Sequence, residues 1–349
     1  MPQTVQITSP RCVEVIDQPT PDLCAGQVRV RTTFSGISAG TELTAYRGSN
    51  PYLNKTWDPD LRLFVDGTSG LGYPLAGLGY SEVGQVVEVA ADVADDPDVP
   101  PVGAHVWGIW GHRGEAVLPA ENLRGRTVPA GLDPIAATFA RVGAVALNAV
   151  LAADVHLGET VAVFGQGVLG LLTTRLVRLS GGSVVAVDAV PTRLEKALEY
   201  GADAVLDARD ATVGHQIRKL TDGRGADVAI EISGSYPALH QAIRSVAVNG
   251  RVVAAGFYQG DGVGLRLGDE FHHNRVRLIC SQIGGVPPDV AGRWSQTRLN
   301  QTFLRLAVDR QVDPVGLVTH VIPVEEAAAA YRMLDRRPHE ALQVVLKFP

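Results

Sequence analysis

Residues 160–188 restrict the possible fold more than any other part of this chain. An apolar run, "TVAVF", leads into Gly165-Gln166-Gly167-Val168-Leu169-Gly170, and "GQGVLGLLTTRLVRLS" continues as a helix with one apolar face. A second apolar run, "SVVAVD", ends at Asp188, eighteen residues after Gly170. Each position has a physical reason. Gly165 permits a tight turn, Gly167 lets a pyrophosphate approach the backbone, and Gly170 lets helix and strand pack closely. Val168 and Leu169 open the helix, whose free N–H groups and positive dipole end face the phosphates. Asp188 can accept hydrogen bonds from ribose hydroxyls and repels a 2′-phosphate, which favours NAD(H) over NADP(H); Arg193 offsets that preference and keeps NADP possible. The same spacing also suits a parallel α/β domain whose glycines serve packing alone.

The surrounding pattern places this unit in a larger plan. Residues 1–135 are rich in Gly, Pro, Val and Thr, with short strands at "VQIT", "QVRVRTTF", "EVGQVVEVA" and "HVWGIW". From about 150, strands alternate with helices, which predicts a parallel sheet covered on both faces. Pro191 at a helix start and Gly201 just past its end support that reading. After "VRLICSQIGG" come helices near 294–309 and 325–334 and a closing strand, "ALQVVLKF", expected to pack back on the first domain. The fold class expected is α/β: a β-rich domain over 1–148, a doubly wound parallel sheet over 149–286, and a return over 287–349.

Composition removes several function classes. The net charge is -6, and no basic stripe suggests a nucleic-acid partner. Cys12, Cys24 and Cys280 are far apart and cannot build a disulfide framework or a four-thiolate zinc lobe. The tract at 135–155 is apolar but is interrupted by Arg141 and Asn148, which predicts a buried helix and not a membrane span. "MPQTVQITSP" reads as a strand, without the pattern of a signal peptide. The expectation is a soluble cytoplasmic protein acting on a small molecule, without a membrane or nucleic-acid partner.

Taken end to end, the chain resembles the medium-chain dehydrogenase/reductase family, which joins a GroES-like catalytic domain to a Rossmann domain. In its zinc-dependent members a cysteine follows "GI", a "G-H-E-x-x-G" stretch supplies a histidine, and a Glu or Cys precedes the dinucleotide domain. The matching stretches here are Gly36-Ile37-Ser38, Gly79-Tyr80-Ser81-Glu82-Val83-Gly84 and the neighbourhood of Arg141. Ser38, Tyr80 and Arg141 would not hold zinc together, and the family's four-cysteine lobe is missing between Gly103 and Leu118. The resemblance therefore implies a member with no metal. "SGISAGTE" is also similar to the subgroup that includes bacteriochlorophyllide-type hydroxyethyl dehydrogenases.

Alcohol oxidation without zinc needs hydrogen-bond donors and a general acid/base in its place. The candidates are Thr41, which matches the family's proton-relay hydroxyl if the turn holds one extra residue, Ser38, Tyr80, and His112 in "WGIWGHRGEAVL". Tyr46 and Glu42 are second choices. "SGISAGTEL" is equally an ordinary turn, His112 a loop histidine satisfied by backbone, and Tyr80 a core aromatic. The resemblance places the nicotinamide at Ile232-Ser233-Gly234, Ala255-Gly256-Phe257 and Ser281-Gln282-Ile283, so that Ser233, Gly256, Phe257, Ser281 and Gln282 join the cofactor set. Ser38 and Tyr80 are 42 positions apart, further than is usual in the family, and the extra segment 49–74 carries Tyr52, Trp57 and Phe64. It is either a substrate-selecting element or a surface loop or subunit contact. "VRLICSQIG" resembles the family's dimer-forming edge, which implies a homodimer. The expected activity interconverts a secondary alcohol and a ketone on a polar cyclic metabolite, a sugar or a cyclitol. The rivals are an enoyl reductase of the same fold and a non-catalytic dinucleotide-binding protein.

Overall fold

The computed structural model describes residues 1–67 and 69–349. The chain forms two compact units, one of Met1–Arg141 with Ala307–Pro349 and the other of Val142–Leu306. In chain order the elements begin with strands β1 (Gln3–Ser9), β2 (Cys12–Asp17) and β3 (Gln27–Ile37), then helix α1 (Glu42–Arg47). Strands β4 (Lys55–Asp58), β5 (Leu63–Asp66), β6 (Leu75–Ala76), β7 (Glu82–Val89), β8 (His105–Gly108) and β9 (Glu115–Pro119) follow. Next come helices α2 (Pro134–Ala137) and α3 (Ala140–Ala153). The alternating part is β10 (Thr160–Phe164), α4 (Val168–Leu179), β11 (Ser183–Asp188), α5 (Pro191–Glu199), β12 (Ala204–Asp207), α6 (Val213–Leu220), β13 (Ala226–Glu231), α7 (Tyr236–Ser245), β14 (Val246–Ala254) and β15 (Arg277–Cys280). The chain closes with α8 (Gln296–Val308), β16 (Val318–Pro323), α9 (Ala327–Arg336) and β17 (Gln343–Lys347).

The first unit is built on β3, the longest strand. One sheet runs β16-β17-β3-β7-β8, with β9 also pairing β3. Val28 and Val30 alternate inward from β3 and meet Val86, Val106, Ala116 and Leu123 in one apolar cluster. A second cluster joins Ile37, Leu43 and Tyr46 to the buried face of α9. Ala327, Ala330, Tyr331 and Leu334 recur there at helical spacing. Fully burying each large side chain in these clusters contributes about 1.5–3 kcal/mol. The closing strand pairs antiparallel with β3, Leu346 opposite Ser35 and Val344 opposite Ile37. That pairing fixes the end of β3, and the turn holding Ser38 begins one residue later.

The second unit is a parallel sheet of order β12-β11-β10-β13-β14-β15. Its strands are apolar on both faces: Val161, Ala162, Val163 and Phe164 of β10 are all buried, as expected for a sheet covered by helices on each side. Chain order reverses between β11 and β13 around β10, so a crevice opens at the carboxyl ends there.

Two sequence expectations change in detail. The 135–155 tract is not one helix: Asp133 caps α2 by accepting from the Ile135 N–H at 2.8 Å, and the chain breaks at Thr138–Phe139 before α3. The 49–74 segment holds a two-stranded hairpin, β4 and β5, with Lys55 opposite Asp66 and Trp57 opposite Phe64; Thr68 lies outside the described residues. No helix among the described residues is long and apolar enough to cross a membrane.

Candidate active site

At the carboxyl end of β10, Gly165 turns the chain with φ +93°. A Cβ on Gly170 would lie 1.7 Å from the Gly165 carbonyl oxygen, so only glycine allows this crossing. Gly167 is the extended N-cap of α4, and Val168 and Leu169 form its half-buried first turn. The Gln166 side chain is wholly buried, donating to the Val163 carbonyl at 2.9 Å and accepting from Thr174 at 3.0 Å. It is a tether for the loop. Asp188 accepts from the backbone N–H of Gln166 at 2.6 Å and of Val190 at 2.8 Å, which locks the carboxylate at the end of β11 beside the loop. The Arg193 guanidinium comes within 3.9 Å of the Cβ position of Gly167.

The remaining cofactor candidates gather around a group the sequence did not flag, Glu231. It ends β13, is fully buried, and accepts from the Ser233 backbone at 2.9 Å, the Gly234 backbone at 3.2 Å, and the hydroxyls of Ser233 and Tyr258. Burial pushes its carboxyl above the usual range, against the pull of those donors. A Cβ on Gly256 would sit 2.2 Å from the Gly234 nitrogen, so the loops after β13 and β14 touch through backbone. Phe257 is exposed beside them. Ser281 is buried and takes a 3.3 Å hydrogen bond from Asn148, whereas the Gln282 side chain accepts from the Gly284 N–H. Ser233, Gly234, Gly256 and Gly165 therefore meet at adjacent strand ends; Ser281 and Gln282 stand at the end of β15.

In the first unit two of the three positions flagged by the missing metal ligands, Ser38 and Tyr80, come into contact. Ser38 Oγ and the Tyr80 hydroxyl are 2.6 Å apart, both half-buried. Thr41 completes the turn, its N–H pointing at Ser38 Oγ from 3.4 Å. Burial pushes the Tyr80 phenol up; hydrogen bonding to Ser38 and Thr41 pulls the other way, the Glu42 carboxylate raises it, and the Arg141 charge lowers it, with a net upward shift. Arg141, at the start of α3, is half-buried. Burial lowers its guanidinium while Tyr80 raises it.

His112 occupies a different layer. It is wholly enclosed, with Nε2 2.7 Å from Glu42 and Nδ1 2.6 Å from Ser35 Oγ. Ser35 donates to Glu82 at 3.0 Å, and the Trp110 N–H caps the other Glu82 oxygen at 2.8 Å. Glu42 also accepts from the Ser38 backbone N–H at 2.8 Å and from the Tyr331 hydroxyl of α9. This buried chain, Glu42–His112–Ser35–Glu82, packs so closely on Gly79 that a Cβ there would fall 2.7 Å from Glu82 and 2.9 Å from His112. Its link to the hydroxyl pair is the Ser38 backbone N–H, so the connection fixes position and offers no proton path from Tyr80 to His112. Burial alone would lower the imidazole pKa, but Glu42 and Glu82 outweigh it and leave the group raised. Tyr46 lies beneath, its ring centroid 5.6 Å from that of Tyr331.

The structure brings the candidates Ser38, Thr41 and Tyr80 together; of the buried chain behind them, His112 and Glu42 were among the sequence candidates, and Ser35, Glu82 and Tyr331 were not. Glu82 had one signal, a carboxylate two residues after Tyr80 at the start of a strand. Tyr331 had none, since it lies 289 residues from Glu42 in the chain.

Residues 168–296 match the zinc-binding dehydrogenase family. D-guloside 3-dehydrogenase of Shigella flexneri is 28% identical over 349 residues, covering 98% of both chains. The solved structure of 2R,3R-butanediol dehydrogenase from Bacillus subtilis superimposes with a TM-score of 0.80 at 21% identity, over 99% of each chain. An alcohol dehydrogenase from E. coli CFT073, solved in complex with NADH, gives a TM-score of 0.79 at 19% identity, also over 99% of each.

Proposed function

The chain belongs to the alcohol dehydrogenase-like medium-chain dehydrogenase/reductase family and is an NAD(P)-dependent oxidoreductase of alcohols and ketones; from that premise we propose that it works without zinc on a secondary alcohol of a polar cyclic metabolite. The observation that carries this reading is the 2.6 Å contact between Ser38 Oγ and the Tyr80 hydroxyl. At the positions where the family's zinc would be held, two neutral hydroxyls bond to each other and the third residue, Arg141, is a cation. That donor set does not fit zinc. Among the described residues no group of three or more His, Cys, Asp or Glu is arranged for a metal ion. No step is therefore routed through one.

In this reading NAD⁺ would be held by the Gly165–Gly170 loop, Asp188 and the strand ends at Ser233 and Gly256, and it would supply the hydride acceptor for the carbinol carbon. The hydroxyl proton leaves to Tyr80 in its deprotonated form, assisted by Ser38 and Thr41, and Tyr80 then releases it to solvent as the ketone departs. In reverse, Tyr80 donates that proton to the ketone oxygen as hydride arrives. A phenol held above its ordinary range is protonated at neutral pH, which suits ketone reduction; oxidation gains as the pH rises. Arg141 contributes positive charge where a phenolate or alkoxide develops. The catalytic groups come from 1–148, where Tyr331 of the 287–349 return supports Glu42, and the dinucleotide-binding groups come from 149–286. His112 acts at one remove, holding Glu42 and through it Ser38. β15 is a sheet edge with Leu278 exposed, which supports pairing as a homodimer.

Two features support a cyclic substrate. A relative matched along nearly its whole length is named D-guloside 3-dehydrogenase, and a guloside is a cyclic sugar derivative. The hairpin β4–β5 rises from the segment between Thr41 and Tyr80 and bears an aromatic cluster. The Phe64 ring centroid is 5.3 Å from that of Tyr52 and 5.2 Å from that of Trp57, and Trp57 is 41% exposed. Such faces stack on sugar rings.

A panel of glycosides, cyclitols, open-chain alcohols, ketones and enones, each with NAD(H) and NADP(H), tests the proposal. Turnover of ring alcohols is expected, with NAD preferred because a carboxylate at Asp188 would repel a 2′-phosphate. Turnover of enones alone would overturn it in favour of a C=C reductase.

A further inference from the structure

Glu231 has no part in the chemistry above, yet it lies in the crevice that takes the cofactor. In register it is level with Phe164, the residue before the glycine turn, and with Ala254, the last residue of β14. It therefore belongs to the row of carboxyl ends where an open α/β sheet binds a dinucleotide. The Gly165–Gly170 loop and Asp188 occupy the β10–β11 side of that row, which suits the adenosine half. Such a sheet binds one mononucleotide on each side of its switch point, so the nicotinamide half falls to the β13–β14 side.

One carboxylate ties together the two loops on that side. Oε1 accepts from the Ser233 N–H at 2.9 Å and from the Ser233 hydroxyl. Oε2 accepts from the Gly234 N–H at 3.2 Å and, from the loop after β14, the Tyr258 hydroxyl. The Glu231 carbonyl accepts from the Ala255 N–H at 2.8 Å and the Gly256 N–H at 3.1 Å. Tyr258 is held in turn: its ring centroid is 5.1 Å from that of Tyr236, whose hydroxyl donates to the Gly260 carbonyl at 2.9 Å. There is little slack. A Cβ on Gly165 would lie 2.8 Å from the Ser233 Cβ, and one on Gly234 would lie 2.7 Å from the Phe257 carbonyl oxygen. Ser233 and Phe257 themselves are exposed.

A fully buried carboxylate whose hydrogen-bond donors are all neutral is costly, and an apolar contact between the loops would avoid that cost. Burial raises the Glu231 carboxyl, and a perturbed acid in a cleft marks a functional position. The four donors also fill its acceptor sites. Glu231 has none left for a ligand and acts through the residues it holds.

We propose that Glu231 and Tyr258 are positioning residues for the nicotinamide half of the cofactor. Their hydrogen bond sets the spacing between the backbone at Ser233–Gly234 and the backbone at Gly256–Phe257, which together present a fixed polar edge to the ring and its carboxamide. The proposal rests on the reading of Ser233 and Gly256 as cofactor contacts.

Titration with NADH, followed by nicotinamide fluorescence, and with ADP-ribose, followed by calorimetry, tests it, since ADP-ribose lacks only the nicotinamide. The parent should bind NADH tighter than ADP-ribose by about tenfold or more, the worth of one or two well-placed hydrogen bonds. Tyr258→Phe keeps the ring and its packing on Tyr236. It should weaken NADH by about tenfold, the loss of one hydrogen bond to a charged group, and leave ADP-ribose affinity as in the parent. Glu231→Gln sets an NH₂ group against donors and should act in the same direction, more strongly. Unchanged ADP-ribose affinity shows that a variant folds; if Glu231→Gln does not fold, Tyr258→Phe decides. Equal binding of NADH and ADP-ribose by the parent overturns the proposal. So does a Tyr258→Phe protein that keeps the parent's NADH affinity, or one in which both ligands weaken together. Because binding is read without turnover, the expected pattern in a protein inactive on every alcohol would overturn the hydride-transfer reading alone.

Discussion

Tyr80→Phe lowers kcat for alcohol oxidation by about 10²–10⁴-fold, the usual range for loss of a general acid/base, and leaves NADH affinity unchanged. The phenylalanine keeps the ring and its packing. It removes only the hydroxyl that touches Ser38 at 2.6 Å. The wild-type profile carries the second half of the prediction. With the Tyr80 phenol raised by burial, oxidation by the parent enzyme climbs as the pH rises into the alkaline range. Ketone reduction falls over the same range. In Tyr80→Phe both limbs flatten, because the group that titrates is gone. Steady-state kinetics in both directions from pH 6 to pH 11 checks this; a variant that keeps kcat and the alkaline climb rules Tyr80 out as the proton-transfer group.

His112→Ala destabilises the first unit by about 3–5 kcal/mol, the cost of removing one member of a buried ionic pair. The reason is accounting of donors. Glu42 loses the 2.7 Å contact to Nε2, Ser35 loses its imidazole partner, and two buried acidic side chains, Glu42 and Glu82, are left around the cavity. Glu82 answers by holding its proton more firmly, which removes part of the cost but not the cavity. The pH dependence follows from the direction of the shifts. His112 is raised in the folded state, so its contribution is complete below about pH 6.5, the unfolded value, and is lost as the pH rises through the folded value. Glu82 is also raised, so its part is complete below its ordinary value near 4.5 and is lost above it. Wild-type stability should therefore fall as the pH increases from neutral into the alkaline range. His112→Ala, lower throughout, should lack that alkaline slope. Trp57, Trp107 and Trp110 belong to the first unit, so tryptophan fluorescence during urea unfolding reports its transition. A loss under 1 kcal/mol with the alkaline slope retained would mean that the imidazole is not held between the two carboxylates.

How much of this was legible in the sequence depended on range. The Gly165–Gly170 loop and Asp188 lie in one local stretch, and a strand, a turn and a helix impose their spacing directly. The apolar strands of the second unit could be read for the same reason, since burial on both faces leaves continuous runs. Ser38 and Tyr80 became visible only through residues that were absent, a cysteine and a histidine replaced by hydroxyls. The supporting chain was legible only in part. His112 and Glu42 stood among the candidates, but Ser35 and Glu42 of one stretch, Glu82 and His112 come from three separate segments, and the antiparallel pairing of β17 with β3 brings α9 and Tyr331 to them. No local pattern encodes a contact across 289 positions. The sequence placed His112 beside the chemistry because its turn is rich in glycine and aromatics. Those features instead allow tight packing: Gly79 leaves no room for a Cβ over the imidazole. The hairpin of the 49–74 segment was missed for a different reason. Leu63, Phe64 and Val65 are all exposed, so β5 lacks the alternation of a half-buried strand.

The central claim is that hydroxyls and a guanidinium, in place of a metal ion, manage the charge on the reacting oxygen. Elemental analysis of the purified protein, paired with its turnover of the best ring alcohol before and after exhaustive chelation, tests it most directly. The account predicts zinc well below one equivalent per chain and a rate that chelation leaves intact. One equivalent of zinc whose removal abolishes turnover, with turnover restored on its return, would contradict it.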